Sequence, residues 1–169
     1  MATVTQVFGP LDSVPPATNY ATQDIGVGTN FQIPCLDFDA STDEAAYFFF
    51  RAVNYGSGNI TVTVDWYADT GSSGNVVWEV QLAAITPDTD TQDIETKAFA
   101  TLNFVQDTHL GTTAQRLHRA SITVSNLDSI AANDWVCLKV SRDANGTNAT
   151  DDLAGDACLV GLGIAYSDT

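Results

Sequence analysis

The chain has 169 residues, 44% of them hydrophobic, which favours one domain with an ample core and excludes a disordered polypeptide. Six basic residues against 21 acidic ones leave a net charge of −15, which excludes the basic footprint that nucleic acid requires and disfavours anionic membrane surfaces. No apolar run approaches the roughly 18 residues of a membrane span.

The opening MATVTQVFGPLD lacks the basic start and apolar stretch of a secretion signal, so the expectation is assembly in a cytoplasm. Residues 1–30 are rich in Pro and Gly and show little periodicity. They read as an extended N-terminal arm ahead of a β-sandwich domain over residues 31–169. The arm nevertheless keeps Val4, Val7, Phe8, Leu11, Val14 and Tyr20, which a solvated tail would not need. These six are the candidate partner-binding residues. The arm either packs on its own domain or reaches a neighbouring subunit.

From Phe31 onward the pattern is strand, turn, strand. FQIPCLDF carries a proline that suits an edge or a strand start. AAYFFFRAV is aromatic and bounded by the turn signal NYGSGN. NITVTVDWYA alternates, with Ile60, Val62, Val64 and Trp66 on one face. VVWEVQLAAI alternates likewise through Val76, Trp78, Val80 and Leu82. TPDTDTQDIETKA reads as a long acidic loop, FATLNFV as a strand, and QRLHRASITVSNL as a strand of uncertain register. LDSIAAND reads as a loop, and WVCLKVSRD and ACLVGLGIAY close the chain as strands. Eight strands without a helix predict an all-β, jelly-roll-like sandwich, with a seven-stranded immunoglobulin-like sandwich as the alternative.

Chemistry-bearing motifs are sparse. Cys35, Cys137 and Cys158 all lie in apolar contexts without zinc-ligand spacing, so buried free thiols are expected. Asn59, Asn145 and Asn148 head glycosylation sequons that carry no meaning in a cytoplasmic product. His109 lies in a loop-like stretch and His118 in a strand, and no GxSxG motif occurs. No catalytic residue, cofactor or metal ligand is therefore assigned, and an enzyme is not expected. Asp143, Asn145 and Gly146 mimic the start of a calcium loop, but the glutamate such a loop needs near its twelfth position is missing. Asp37, Asp39, Asp43 and Glu44 form a second acidic group. For both, turn chemistry of Asp and Asn is the simpler reading. Trp66 and Trp78 fall on core faces, whereas Trp135 shares its face with Cys137 and Lys139, so few exposed aromatics remain for a sugar platform.

The phrases FGPLD, PPATNYAT, LDFDASTDEAAYF, GNITVTVDWYADTGSSGNVVWEVQL and LKVSRDANGTNATDDLAGDACLVGLGIAY occur in this order. Together they resemble a group of small β-sandwich proteins encoded among bacteriophage virion genes. The resemblance implies a virion component, above all a capsid decoration (cement) protein. Such a protein would bind the major capsid protein as a homotrimer on the capsid surface. In the resemblance DANGTNATDDLAGDA links the last two strands, most simply as a solvated turn, which leaves open an ion or an Arg142–Asp156 pair as a fixing element. A carbohydrate-binding or host-contacting module of a phage tail is the alternative.

Overall fold

A computed structural model describes residues 2–169 of the chain. It contains ten strands: β1 Thr3–Phe8, β2 Thr22–Val27, β3 Gln32–Phe38, β4 Glu44–Arg51, β5 Ile60–Ala68, β6 Ser73–Ile85, β7 Asn103–Leu110, β8 His118–Val124, β9 Trp135–Arg142 and β10 Ala157–Ser167. They form two antiparallel sheets. The larger runs β2-β3-β10-β5-β8, with β1 also paired to β10; the smaller runs β4-β9-β6-β7. The chain is thus an all-β sandwich of ten strands where eight were expected. The additional two come from the first thirty residues. In β2 five of six residues are exposed, so it lacks the apolar alternation by which a half-buried strand is recognised in sequence.

Alternation elsewhere fixes what lies between the sheets. Ile60, Val62, Val64 and Trp66 of β5 face Val76, Trp78, Val80 and Leu82 of β6, all without exposed surface. Phe38 meets Trp78 edge-on at 5.1 Å between ring centroids, and Trp66 meets Trp78 at 6.0 Å. These are favoured aromatic geometries in a close-packed interior.

Strands β1 and β3 lie end to end along one side of β10. Thr3–Phe8 pairs with the Leu162–Ser167 half, and Leu36–Phe38 with Ala157–Leu159. Pro34 therefore sits where β3 is paired only to β2, a local edge at which the missing N–H costs no ladder bond. After a 3-10 turn at Pro10–Asp12, with Pro10 buried, the chain crosses to the smaller sheet. Val14 exchanges two backbone hydrogen bonds of 2.9 Å with Tyr47, and Asn19 and Ala21 bracket Ala45. This strap covers the free edge of β4, which would otherwise present unpaired backbone groups. Of the six apolar arm residues, Val4 and Phe8 pack against the core, and Phe8 lies 6.0 Å from Phe48. Val7, Leu11, Val14 and Tyr20 are exposed.

Candidate functional site

The outer face of the smaller sheet carries a groove lined by aromatic and polar side chains. Its register sets side chains in rows across the strands. Arg51, Trp135 and Ile85 form one row; Phe49, Cys137 and Ala83 the next; Tyr47, Lys139 and Gln81 a third; Ala45, Ser141 and Glu79 the last. Cys137 and Ala83 in the second row are small and leave a trough beside Phe49 and Trp135.

Phe49 and Trp135 stack at 5.3 Å with their planes 28° apart. Tyr47 and Phe99 lie 5.8 Å apart at 31°. Phe99 comes from the acidic loop between β6 and β7, which folds back over the sheet. Ala100 N–H donates to Leu82 O at 2.9 Å, and Gln81 Nε2 donates to Ala100 O at 3.2 Å. Lys97 pairs with Asp128 at 2.9 Å and fixes the same loop from its far side. The loop thus forms one wall and brings Ile94 and Phe99 to the trough.

Three depressions adjoin along this face. One of about 410 Å³ lies against Phe49, Arg51, Pro87 and Trp135. The next, about 340 Å³, shares Phe49 and Trp135 with it and adds Tyr47, Ile94 and Phe99. The third, about 470 Å³, shares Tyr47 and continues to Glu44, Glu79, Lys139 and Ser141, with the 16–19 strap as its wall. The groove follows β9 from Trp135 to Ser141, a run of about 20 Å at strand rise.

Its far end is polar and ordered. Lys139 Nζ donates to Gln81 Oε1 at 3.2 Å. Ser141 Oγ donates to Glu79 Oε2 at 3.0 Å, and Asn148 Nδ2 to Glu79 Oε1 at 2.6 Å. Burial raises the Glu79 and Glu44 carboxyls above the usual glutamate range. The groove therefore joins flat apolar faces at one end to hydrogen-bonding groups at the other. Such an arrangement suits a ligand with apolar C–H faces and a rim of hydroxyls.

The other candidates of the sequence lie elsewhere. His109 is in β7 rather than in a loop, is fully buried, and sits 4.8 Å from His118 beneath Trp66. In the stretch from Ser141, the carboxylates are occupied by backbone donors. Asp143 accepts from Thr147 and Asn148, Asp152 from Asn75, and Asp156 from Ala40. Asp39 likewise caps Ser41 and Thr42. Of these, only Asp39 makes the local Asx turn expected of such residues; Asp152 and Asp156 instead tie segments far apart in sequence. The pair that fixes the loop is Arg142–Asp151 at 2.8 Å, not Arg142–Asp156. Among the described residues no group of three His, Cys, Asp or Glu side chains converges as a metal site.

Sequence reading singled out Trp135 but missed Tyr47, Phe49 and Phe99 as its companions. AAYFFFRAV is apolar on both faces, so its period-two signal is hidden. Tyr47 and Phe49 point outward only because Phe48 and Phe50 are buried.

No protein-family model matches the chain, and no curated protein matches it. Among solved structures it is similar to a CBM36-1 domain of a multidomain xylanase from the hindgut metagenome of Trinervitermes trinervoides. The TM-score is 0.47 at 9% identity, over 98% of this chain and 100% of that one. A carbohydrate-binding module with specific mannan recognition, TmCBM27, gives 0.47 at 9% identity, with 99% of each chain covered. A family 11 module from Clostridium thermocellum in complex with a mixed-linked tetrasaccharide gives 0.45 at 6%, over 96% and 87%. At this distance they carry nothing about what this chain binds.

Proposed function

We propose that this chain is a non-catalytic binding module that holds a linear, uncharged glycan in the groove along β9. The observation that carries the reading is the stacked Phe49–Trp135 pair at the head of a groove whose other end is lined by Gln81, Lys139, Ser141 and Glu79. The apolar faces of sugar rings stack on the aromatics, and ring hydroxyls exchange hydrogen bonds with the amide, ammonium and carboxylate groups. The preference for an uncharged chain follows from Glu44, Glu79 and Asp43 beside the groove and from a net charge of −15, which repel acidic polymers.

Trp66 and Trp78 are buried, so a fluorescence response to ligand arises from Trp135. Titration against a panel of neutral and acidic oligosaccharides is expected to change that emission for a neutral member and for no acidic one. W135A and F49A should each weaken binding about fivefold, from loss of roughly 1 kcal/mol of stacking. Phe49 is 38% exposed and Trp135 only half-buried, so each variant should also lower the urea midpoint, and affinity is read well below that transition. Absence of any fluorescence or calorimetric response across the panel would sink the reading.

A second reading, a decoration protein on a capsid lattice, is favoured by one observation. Val7, Leu11, Val14 and Tyr20 remain exposed although the arm is folded onto the sandwich. Truncating the arm would also remove β1 and the strap, so surface substitutions are the cleaner test. V7K together with L11K should abolish trimer formation and capsid binding on this reading. A wild-type chain that stays monomeric and ignores purified capsids would remove it.

A further inference from the structure

The opposite face of the molecule holds two thiols that the glycan reading does not use. On the outer side of the larger sheet, Cys158 of β10 is flanked by Tyr67 of β5 and Asp37 of β3 in direct register. Cys35 lies two residues along β3 from Asp37, diagonal to Cys158 on the same face. Cys35, Tyr67 and Cys158 form a small buried cluster of their own, closed by Ile33 and Val160.

The two sulfurs have different polar partners. Tyr67 O–H donates to Cys35 Sγ at 3.6 Å. Cys158 packs beside that sulfur in the same buried cluster. On its other side the Cys158 thiol meets the Asp37 carboxylate at 3.3 Å. Contact with Cys158 first, and the Tyr67 hydroxyl after it, lower the Cys35 thiol against the effect of burial, while the same contact and burial raise the Cys158 thiol. Cys137, with burial alone acting on it, is pushed up to about 12. Burial also raises the Asp37 carboxyl, which makes it a better proton acceptor than a surface aspartate.

A cavity opens on the Tyr67 and Cys158 side of the cluster. The β2–β3 hairpin arches over it and leaves a cavity of about 710 Å³ lined by Gly26, Ile33, Tyr67 and Cys158, with Asp24 and Asp69 in its wall. The hairpin sits tightly here: a side chain at position 26 would lie 2.7 Å from the Tyr67 hydroxyl. An acidic wall admits a small neutral oxidant and repels anionic ones.

We propose that Cys35 and Cys158 are a peroxide-sensitive dithiol that closes to a cross-strand disulfide beneath the β2–β3 hairpin. In the first step the Cys35 sulfur attacks one oxygen of hydrogen peroxide. The O–O bond breaks, and the departing hydroxide takes the thiol proton to leave as water, giving a sulfenic acid. In the second step the Cys158 sulfur attacks the Cys35 sulfur while Asp37 accepts the Cys158 proton. The S–O bond breaks, and the hydroxide leaves as a second water when that proton is passed on. Two thiols and one peroxide thus become one disulfide and two waters. Asp37 is a positioning and proton-accepting group for the second step only.

The test treats the native chain with hydrogen peroxide, alkylates remaining thiols after unfolding, and maps the peptides by mass. The expected product is a Cys35–Cys158 linked peptide with Cys137 alkylated. In C158S, dimedone should label Cys35 and leave Cys137 untouched. In D37N the disulfide should form more slowly, and dimedone capture at Cys35 should rise. Full alkylation of all three thiols in the treated wild type would overturn the proposal without requiring any variant to fold. Oxidation of Cys137 at the same rate as Cys35 would do so too.

Discussion

Arg142 has no exposed surface, and its five guanidinium N–H groups all find acceptors. Nε and Nη2 donate to the two oxygens of Asp151 at 3.0 and 2.8 Å; Nη2 also reaches Leu153 O, and Nη1 reaches the carbonyls of Phe38 and Gly155. A buried pair contributes little beyond an apolar replacement of both partners, but breaking one side leaves an uncompensated charge. R142M should therefore cost about 3–5 kcal/mol, read as a lowered urea midpoint. Replacing Arg142 and Asp151 together with apolar residues should cost less than R142M alone. A second residue-scale effect concerns His118, whose imidazole is held below its ordinary value by burial first and by the neighbouring His109. Arg116 acts in the same sense and Asp107 against it. The folded state thus binds the proton less readily than the unfolded chain. Its contribution to stability is complete above the unfolded value of 6.5 and is lost as pH falls from there through the lowered folded value. Glu44, Glu79 and Asp37, raised by burial, act in the opposite sense. The difference between wild type and H118N isolates the histidine: the urea midpoint of wild type should fall more steeply between pH 7 and pH 5. Equal slopes would refute the assignment. Sequence could show an arginine followed by four aspartates, Asp143, Asp151, Asp152 and Asp156, but not which of them meets it. That choice depends on where the loop closes in space.

At the scale of elements, the long β9–β10 connection is fastened to the start of β6. Asp152 and Leu153 both donate their N–H to Asn75 O at 3.1 Å, and Asp151 accepts from Val77 N–H at 2.9 Å. This approach requires a glycine. A side chain at Gly74 would meet the Cα of Leu153 at 2.8 Å, which is backbone and cannot turn aside. G74V should displace the connection, cost roughly 1–3 kcal/mol by overpacking, and raise amide hydrogen exchange over residues 143–156. Exchange unchanged in that segment would contradict the fastening. The elements themselves were legible in unequal degree. β5 and β6 declare their inward faces by strict alternation. β4 does not, because it is apolar on both sides, and so the aromatic half of the groove stayed hidden. β7 was expected to begin earlier: Ala100 pairs by a single bond, and the ladder starts at Asn103.

Over the whole molecule, 21 acidic residues surround a core held by apolar burial, and only three ion pairs occur among the described residues. Self-repulsion of a net charge of −15 opposes the compact state and is screened by salt. The melting temperature should therefore rise as sodium chloride is added to a low-salt buffer. A salt-independent value would mean that repulsion is relieved in another way. What the sequence by itself determined is the class: period-two burial and turn-rich punctuation leave a β-sandwich as the way to cover one apolar face per strand. The expectation that nucleic acid is not a partner likewise rests on charge alone. Only the tertiary structure decided that the first thirty residues supply β1, β2 and the strap on β4. It alone decided that Phe49, Trp135, Tyr47 and Phe99 share one trough, and that Cys35 lies against Cys158. These contacts join residues tens to more than a hundred positions apart. Strand periodicity records which face a side chain takes but not which strand lies beside it.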